Sequence, residues 1–119
     1  KDMIIIDDMI SSGESMLDVA RQIKERGAKR VFVCVTFGLF TDGLKKFDEY
    51  YEKGYINYVI TTNLTYQNPE LLKRPYYLSA DMSKFLALII DTLNKDGSTE
   101  PVMSPTDKIK ALVADYYKR

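Results

Sequence analysis

The sequence predicts an α/β fold: a doubly wound, mainly parallel sheet of about four strands with helices on both faces, plus a C-terminal helix. Three observations lead there. Short runs rich in Ile, Val, Phe and Tyr alternate with segments of helical periodicity. Glycines follow the helical segments at Gly27 and Gly54, where helices stop readily. Strand–helix–strand order of this kind implies right-handed crossovers between parallel strands.

The elements follow in order. "MIIID" (3–7) reads as a strand apolar on both faces. From about Gly13 to Arg26 the residues Met16, Val19, Ala20 and Ile23 share one helical face. "RVFVCVTFG" (30–38) is a second strand, rich in β-branched residues. A helix from about Thr41 to Lys53 would bury Leu44, Phe47 and Tyr51, and "INYVITTN" (56–63) forms a third strand. "YQNPELLKRP" (66–75) reads as a loop bracketed by prolines, and "YYLSAD" (76–81) as a short fourth strand. The clearest periodicity comes next, in Met82, Phe85, Leu86, Ile89, Ile90 and Leu93. After a turn-rich connector (94–105), a last helix opens with Ser104 as N-cap, Pro105 at N1 and Asp107 at N3. It would bury Ile109, Leu112, Val113 and Tyr116.

Composition narrows the function. The 119 residues amount to one domain with a modest core. Seventeen basic and 17 acidic residues cancel, so no electrostatic pull toward nucleic acid or an anionic membrane is expected. No apolar run approaches the about 20 residues that span a bilayer, and "KDMIIIDDM" lacks a signal-peptide layout. The single cysteine, Cys34, forbids an intrachain disulfide and fits a reducing, cytoplasmic setting. With no histidine in the chain, an internal Ser-His-Asp triad is excluded, and any metal would be a hard ion held by oxygen.

The stretch "DDMISSGES" (7–15) does not look like packing material. Two adjacent carboxylates, Asp7 and Asp8, close an apolar strand and precede small hydroxyl residues that lead into a helix. In open α/β sheets ligands bind there, beyond the carboxyl ends of the strands. A helix N-terminus offers unpaired N–H groups and partial positive charge to a phosphate. Ser11, Ser12 and Ser15 add hydroxyls, and Gly13 lets the backbone come close. Asp7 and Asp8 could accept hydrogen bonds from two vicinal hydroxyls, or help hold a hydrated Mg²⁺. Local sequence supports a second reading equally, since Ser11-x-x-Glu14 is a capping box. The acid pair favours the sugar phosphate, because a cap explains Ser11 and Glu14 but not Asp7 and Asp8.

"IIIDDMISSGES" resembles the phosphoribosyl-pyrophosphate (PRPP) loop of the phosphoribosyltransferase superfamily, and among its members the PRPP synthetases (ribose-phosphate pyrophosphokinases). The resemblance continues through "RGAKRVFVCVTFGLFTDG", "INYVITTN" and "YYLSADMSKFLALIIDTLN", covering most of residues 3–94. It implies the C-terminal half of such a protein, with the type I phosphoribosyltransferase fold, residues 1–119 being one domain of a longer chain. Asp7 and Asp8 would hold the ribose hydroxyls, while Ser11, Ser12, Gly13, Glu14 and Ser15 would wrap the 5-phosphate. The implied parent is a Mg²⁺-dependent homo-oligomer that transfers diphosphate from ATP to ribose 5-phosphate. The resemblance places its ATP-binding and catalytic groups in an N-terminal half outside this chain, so the fragment alone would be inactive. Two departures bear on this: Glu14 stands inside the phosphate loop, and Phe37 stands where synthetases often carry histidine.

Other readings are weaker. A signalling receiver domain needs an acceptor aspartate after the third strand, where this chain has Thr61-Thr62-Asn63. A transferase that moves a base onto PRPP usually has Thr-Gly-Gly or Thr-Gly-Ser in its loop. A non-catalytic, synthetase-like regulatory or assembly subunit is favoured by Glu14 and Phe37. The tyrosine doublets and Cys34 are expected to pack, and the charges of "LLKRP" (71–75) to be exposed. Thr61-Thr62-Asn63 fits site lining and turn capping equally.

Overall fold

The structure, a computed structural model, describes residues 1–118. It divides into two compact units, Lys1–Asp81 and Met82–Arg119. In the first, strands β1 (Met3–Ile10), β2 (Val31–Gly38), β3 (Tyr58–Thr62) and β4 (Tyr77–Ala80) form one sheet in the order β1-β2-β3-β4. All three pairings are parallel. Helices α1 (Glu14–Glu25), α2 (Lys45–Glu52) and α3 (Pro69–Leu72) make the crossovers. This is the four-stranded parallel α/β sheet the sequence predicts, although the three helices of this unit pack on one face rather than on both.

Sequential strand order with right-handed crossovers brings α1, α2 and α3 to one face. The buried residues agree. Val31, Val33 and Val35 of β2 lie in register beside Met3, Ile5 and Asp7 of β1. They form the core with Met16, Leu17 and Ala20 of α1, Phe47 of α2 and Leu71 of α3. The opposite pleat carries Ile4 and Ile6, which are 62% and 80% exposed. There Phe32 stacks on Tyr58 with ring centroids 5.7 Å apart, and Arg30 lies over the Phe32 ring. The continuous apolar pattern of β1 is that of a strand covered on both sides. Within this unit the helices cover one side.

Several boundaries differ from expectation for physical reasons. β1 runs three residues beyond Asp7, because pairing with β2 continues through Met9 with Phe37 and Ile10 with Gly38. α2 begins at Lys45 rather than Thr41, since Phe40 and Gly43 adopt positive φ and turn the chain first. Residues 69–72 form α3 instead of a plain loop: the Asn68 side chain accepts from the Glu70 amide at 2.9 Å, and Pro69 occupies the first turn. On α1 the buried stripe is Met16, Leu17 and Ala20, with Val19 exposed.

The second unit holds α4 (Ser83–Asn94), α5 (Glu100–Met103) and α6 (Thr106–Lys118). The expected periodicity of α4 is present, and α5 falls inside the predicted connector. α6 starts within a residue or two of the predicted cap, where the Ile109 amide bonds to the Pro105 carbonyl at 2.9 Å. Its stripe is not buried, contrary to expectation: Ile109, Leu112, Val113 and Tyr116 are all exposed. Amphipathic spacing made the helix legible but carries no information on what covers it. No helix among the described residues is long and apolar enough to cross a membrane.

Candidate functional site

Because β1 extends to Ile10, the connection to α1 is only Ser11, Ser12 and Gly13. Its ends are tied down. The Leu39 amide donates to the Ile10 carbonyl at 2.8 Å, and the Thr41 amide to the Ser11 carbonyl at 2.9 Å. Gly13 turns the corner with φ 87°, a left-handed conformation costly to any residue with a β-carbon. A β-carbon there would also come within 2.6 Å of Cε2 of the buried Phe47. Gly13 is thus fixed by backbone conformation and by core packing together.

The loop and the start of α1 enclose a hollow of about 230 Å³, lined by Asp7 and by residues 9–16. All five residues expected to wrap a phosphate line it: Ser11, Ser12, Gly13, Glu14 and Ser15. Among the described residues, nothing accepts from the first-turn amides of Ser15 and Met16, and Ser12 Oγ takes the Glu14 amide at a long 3.4 Å. The two carboxylates divide. Neighbouring strand residues point to opposite faces, so Asp7 shares the helix side with Val35 while Asp8 points to the other. Asp7 lines the hollow and Asp8 does not. The Asp8 amide donates to Asp7 Oδ1 at 2.8 Å, which steadies that carboxylate. They lie inside the strand, not at its tip as the sequence suggests.

The capping box does not form. α1 has Gly13 as N-cap with no side-chain cap hydrogen bond, so Glu14 is the first helical residue and cannot reach back as a third one would. Its carboxylate pairs instead with Lys46 of α2. The hydrogen bond from Lys46, and then its charge, hold the Glu14 carboxyl below the usual range, and Lys46 is raised in return.

The other strand ends are structural. Thr61 is 2% exposed, and its hydroxyl meets the Tyr77 hydroxyl at 2.6 Å. Thr62 Oγ1 donates to the Thr36 carbonyl and accepts the Leu64 amide, which is turn capping. Gly38 makes room for Thr61: a β-carbon there would fall 2.8 Å from Thr61 Cγ2. Phe37 lies beside Met9 in register. Arg74 pairs with Asp48 at 2.9 Å and is not the simple exposed loop charge expected of "LLKRP". Lys46 and Gly38 were missed by sequence reasoning, since each acts through a neighbour distant in sequence. Among the described residues no group of three or more His, Cys, Asp or Glu could hold a metal ion.

Comparison with known proteins agrees with this fold. The sequence model of the phosphoribosyl synthetase-associated domain matches residues 1–103. A ribose-phosphate pyrophosphokinase of Shewanella oneidensis is 34% identical over 104 residues, covering 87% of this chain and 32% of that protein. Human phosphoribosyl pyrophosphate synthase-associated protein 2 is 32% identical over 96 residues, covering 80% of this chain and 25% of that one. The crystal structure of phosphoribosylpyrophosphate synthetase from Mycobacterium smegmatis superposes with a TM-score of 0.70 at 25% identity, covering 82% of this chain and 31% of that chain. The chain thus spans a quarter to a third of the length of these relatives. With the family's sequence model matched across most of its length, this chain belongs to the phosphoribosyl synthetase-associated domain family.

Proposed function

We propose that the hollow after β1 binds ribose 5-phosphate or PRPP. The 5-phosphate would sit on the α1 N-terminus among Ser11, Ser12, Gly13 and Ser15, with the sugar hydroxyls toward Asp7, the acid of the pair that lines the hollow. The observation that carries this is the join of two unlike ends: unpartnered amides and serine hydroxyls at one, the Asp7 carboxylate at the other. Phosphate matches the first, and vicinal hydroxyls match the second. In this reading the chain is the C-terminal part of a longer, homo-oligomeric protein with the type I phosphoribosyltransferase fold. The parent's activity would be diphosphate transfer from ATP to ribose 5-phosphate, with the ATP site outside this chain.

In this reading Mg²⁺ would be held in a shell of water and substrate rather than in a protein cage. Asp7 would hold the ion, directly or through water, and the remaining ligands would be water and substrate oxygens, the usual manner for this cation. Bound there, Mg²⁺ would offset phosphate charge.

The test is titration calorimetry with ribose 5-phosphate, inorganic phosphate and ribose. Ribose 5-phosphate should bind most tightly, phosphate more weakly, and ribose least. Equal heats for ribose and ribose 5-phosphate would remove the phosphate from the reading. A non-catalytic regulatory or assembly subunit is the second reading, favoured by Glu14 inside the loop. It predicts that the parent protein binds ribose 5-phosphate yet forms no PRPP from it with ATP and Mg²⁺.

A further inference from the structure

Glu14 raises a problem for any anion in the hollow. It is the first residue of α1 and lines the hollow, so its carboxylate opposes a phosphate seated on the same helix end. The structure supplies a counter-charge from another element. Lys46, on the first turn of α2, reaches across and pairs with Glu14. Both side chains are about half exposed, so neither is needed to fill the core. The groove they share, between α1 and α2, also holds Asp18, Glu49 and Lys53, two acids and one base.

We propose that Lys46 is a positioning and charge-cancelling residue for phosphate binding: by pairing with Glu14 it turns that carboxylate from the loop and neutralises it, so the α1 N-terminus can accept a dianion. This rests on the sugar-phosphate reading of the loop. Lys46 does not itself hold the phosphate. Its effect passes through Glu14, and the two residues should therefore be strongly coupled in binding while nearly silent in stability.

The experiment is a double-mutant cycle read by calorimetry with inorganic phosphate and ribose 5-phosphate. Lys46→Met leaves Glu14 uncompensated and should weaken both ligands by about fivefold, the scale of an exposed charge interaction. Glu14→Gln should tighten both by about threefold. The double variant Glu14→Gln/Lys46→Met should return to within twofold of the native affinity, and Lys46→Arg should keep it. Circular dichroism melting should show all four folded. High salt should shrink the Lys46→Met effect, because the charges are exposed. A double variant as weak as Lys46→Met would mean that Lys46 touches the phosphate directly, and an unaffected Lys46→Met would mean that it does nothing; either result overturns the proposal. If the native chain binds neither ligand, the sugar-phosphate reading fails first and this proposal falls with it. Native binding with no coupling between positions 14 and 46 defeats this proposal alone.

Discussion

A β-carbon on Gly13 would fall within 2.6 Å of Cε2 of Phe47, so a residue of the candidate phosphate loop is set by a side chain in the centre of the core. Gly13→Ala should therefore be costly twice. The left-handed φ costs a residue with a β-carbon about 1–2 kcal/mol, and crowding Phe47 about 1–3 kcal/mol more. The double variant Gly13→Ala/Phe47→Leu separates these terms, since a smaller partner relieves crowding but not backbone conformation. Denaturant melts should show partial rescue. Full rescue would mean that the backbone conformation costs nothing.

A second relationship governs alkaline behaviour. The Tyr76 hydroxyl donates to Asp48 Oδ1 at 2.6 Å, and the Arg74 guanidinium reaches the same oxygen. Burial, then the hydrogen bond and charge of Asp48, push the phenol above its ordinary value of 10.0. A folded-state pKa above the unfolded one gives stability that is complete below pH 10 and is lost as pH rises past it. Stability measured from pH 8 to 11 should fall above pH 10. Tyr76→Phe should cost about 1–3 kcal/mol at pH 8, as for a hydrogen bond to a charged group, and should flatten the alkaline decline. An unchanged slope in Tyr76→Phe would assign the decline to other groups.

Legibility in the sequence follows how local each signal is. The alternation of "RVFVCVTFG" with the helical spacing after Gly13 revealed the parallel sheet, since both patterns are written in consecutive residues. The loop residues Ser11 to Ser15 were legible for the same reason. Three features were not. The strand's extension past Asp7 depends on β2 partners far along the chain, and it decides that Asp7 and Asp8 face opposite ways. The capping box was a sound local motif, overruled when Gly13 became the cap and Lys46 took the Glu14 carboxylate. Exposure of the α6 stripe depends on what packs beside it, which spacing does not encode.

Asn68 offers a compact check on α3. Its side chain accepts from the Glu70 amide, and the short helix holds buried Leu71 and leads to Arg74. Asn68→Ala should cost about 1 kcal/mol, the usual loss for an N-cap. Asn68→Asp should retain most of it, because the carboxylate accepts the same hydrogen bond. A calorimetric melt in which Asp is as damaging as Ala would show that the cap is not the reason for this residue.

The two adjacent acids, Asp7 and Asp8, should act differently on a bound sugar phosphate. Asp7 lines the hollow and Asp8 points to the other face of the strand, so the isosteric amides should differ. Asp7→Asn removes the carboxylate nearest the sugar, and ribose 5-phosphate should bind about tenfold more weakly, the scale of a lost hydrogen bond to a charged group. Inorganic phosphate needs no hydroxyl acceptor, so its binding should hold or tighten slightly as a nearby negative charge is removed. Asp8→Asn should change ribose 5-phosphate binding by less than about threefold, because its side chain acts from outside the hollow. Ser12→Val should show the reverse pattern, weakening phosphate and ribose 5-phosphate alike. These contrasts come from one series of calorimetric titrations. Equal loss in Asp7→Asn and Asp8→Asn would mean that the sugar bridges both faces of the strand end. A phosphate loss in Asp7→Asn as large as the ribose 5-phosphate loss would mean that the carboxylate supports the loop itself rather than the hydroxyls.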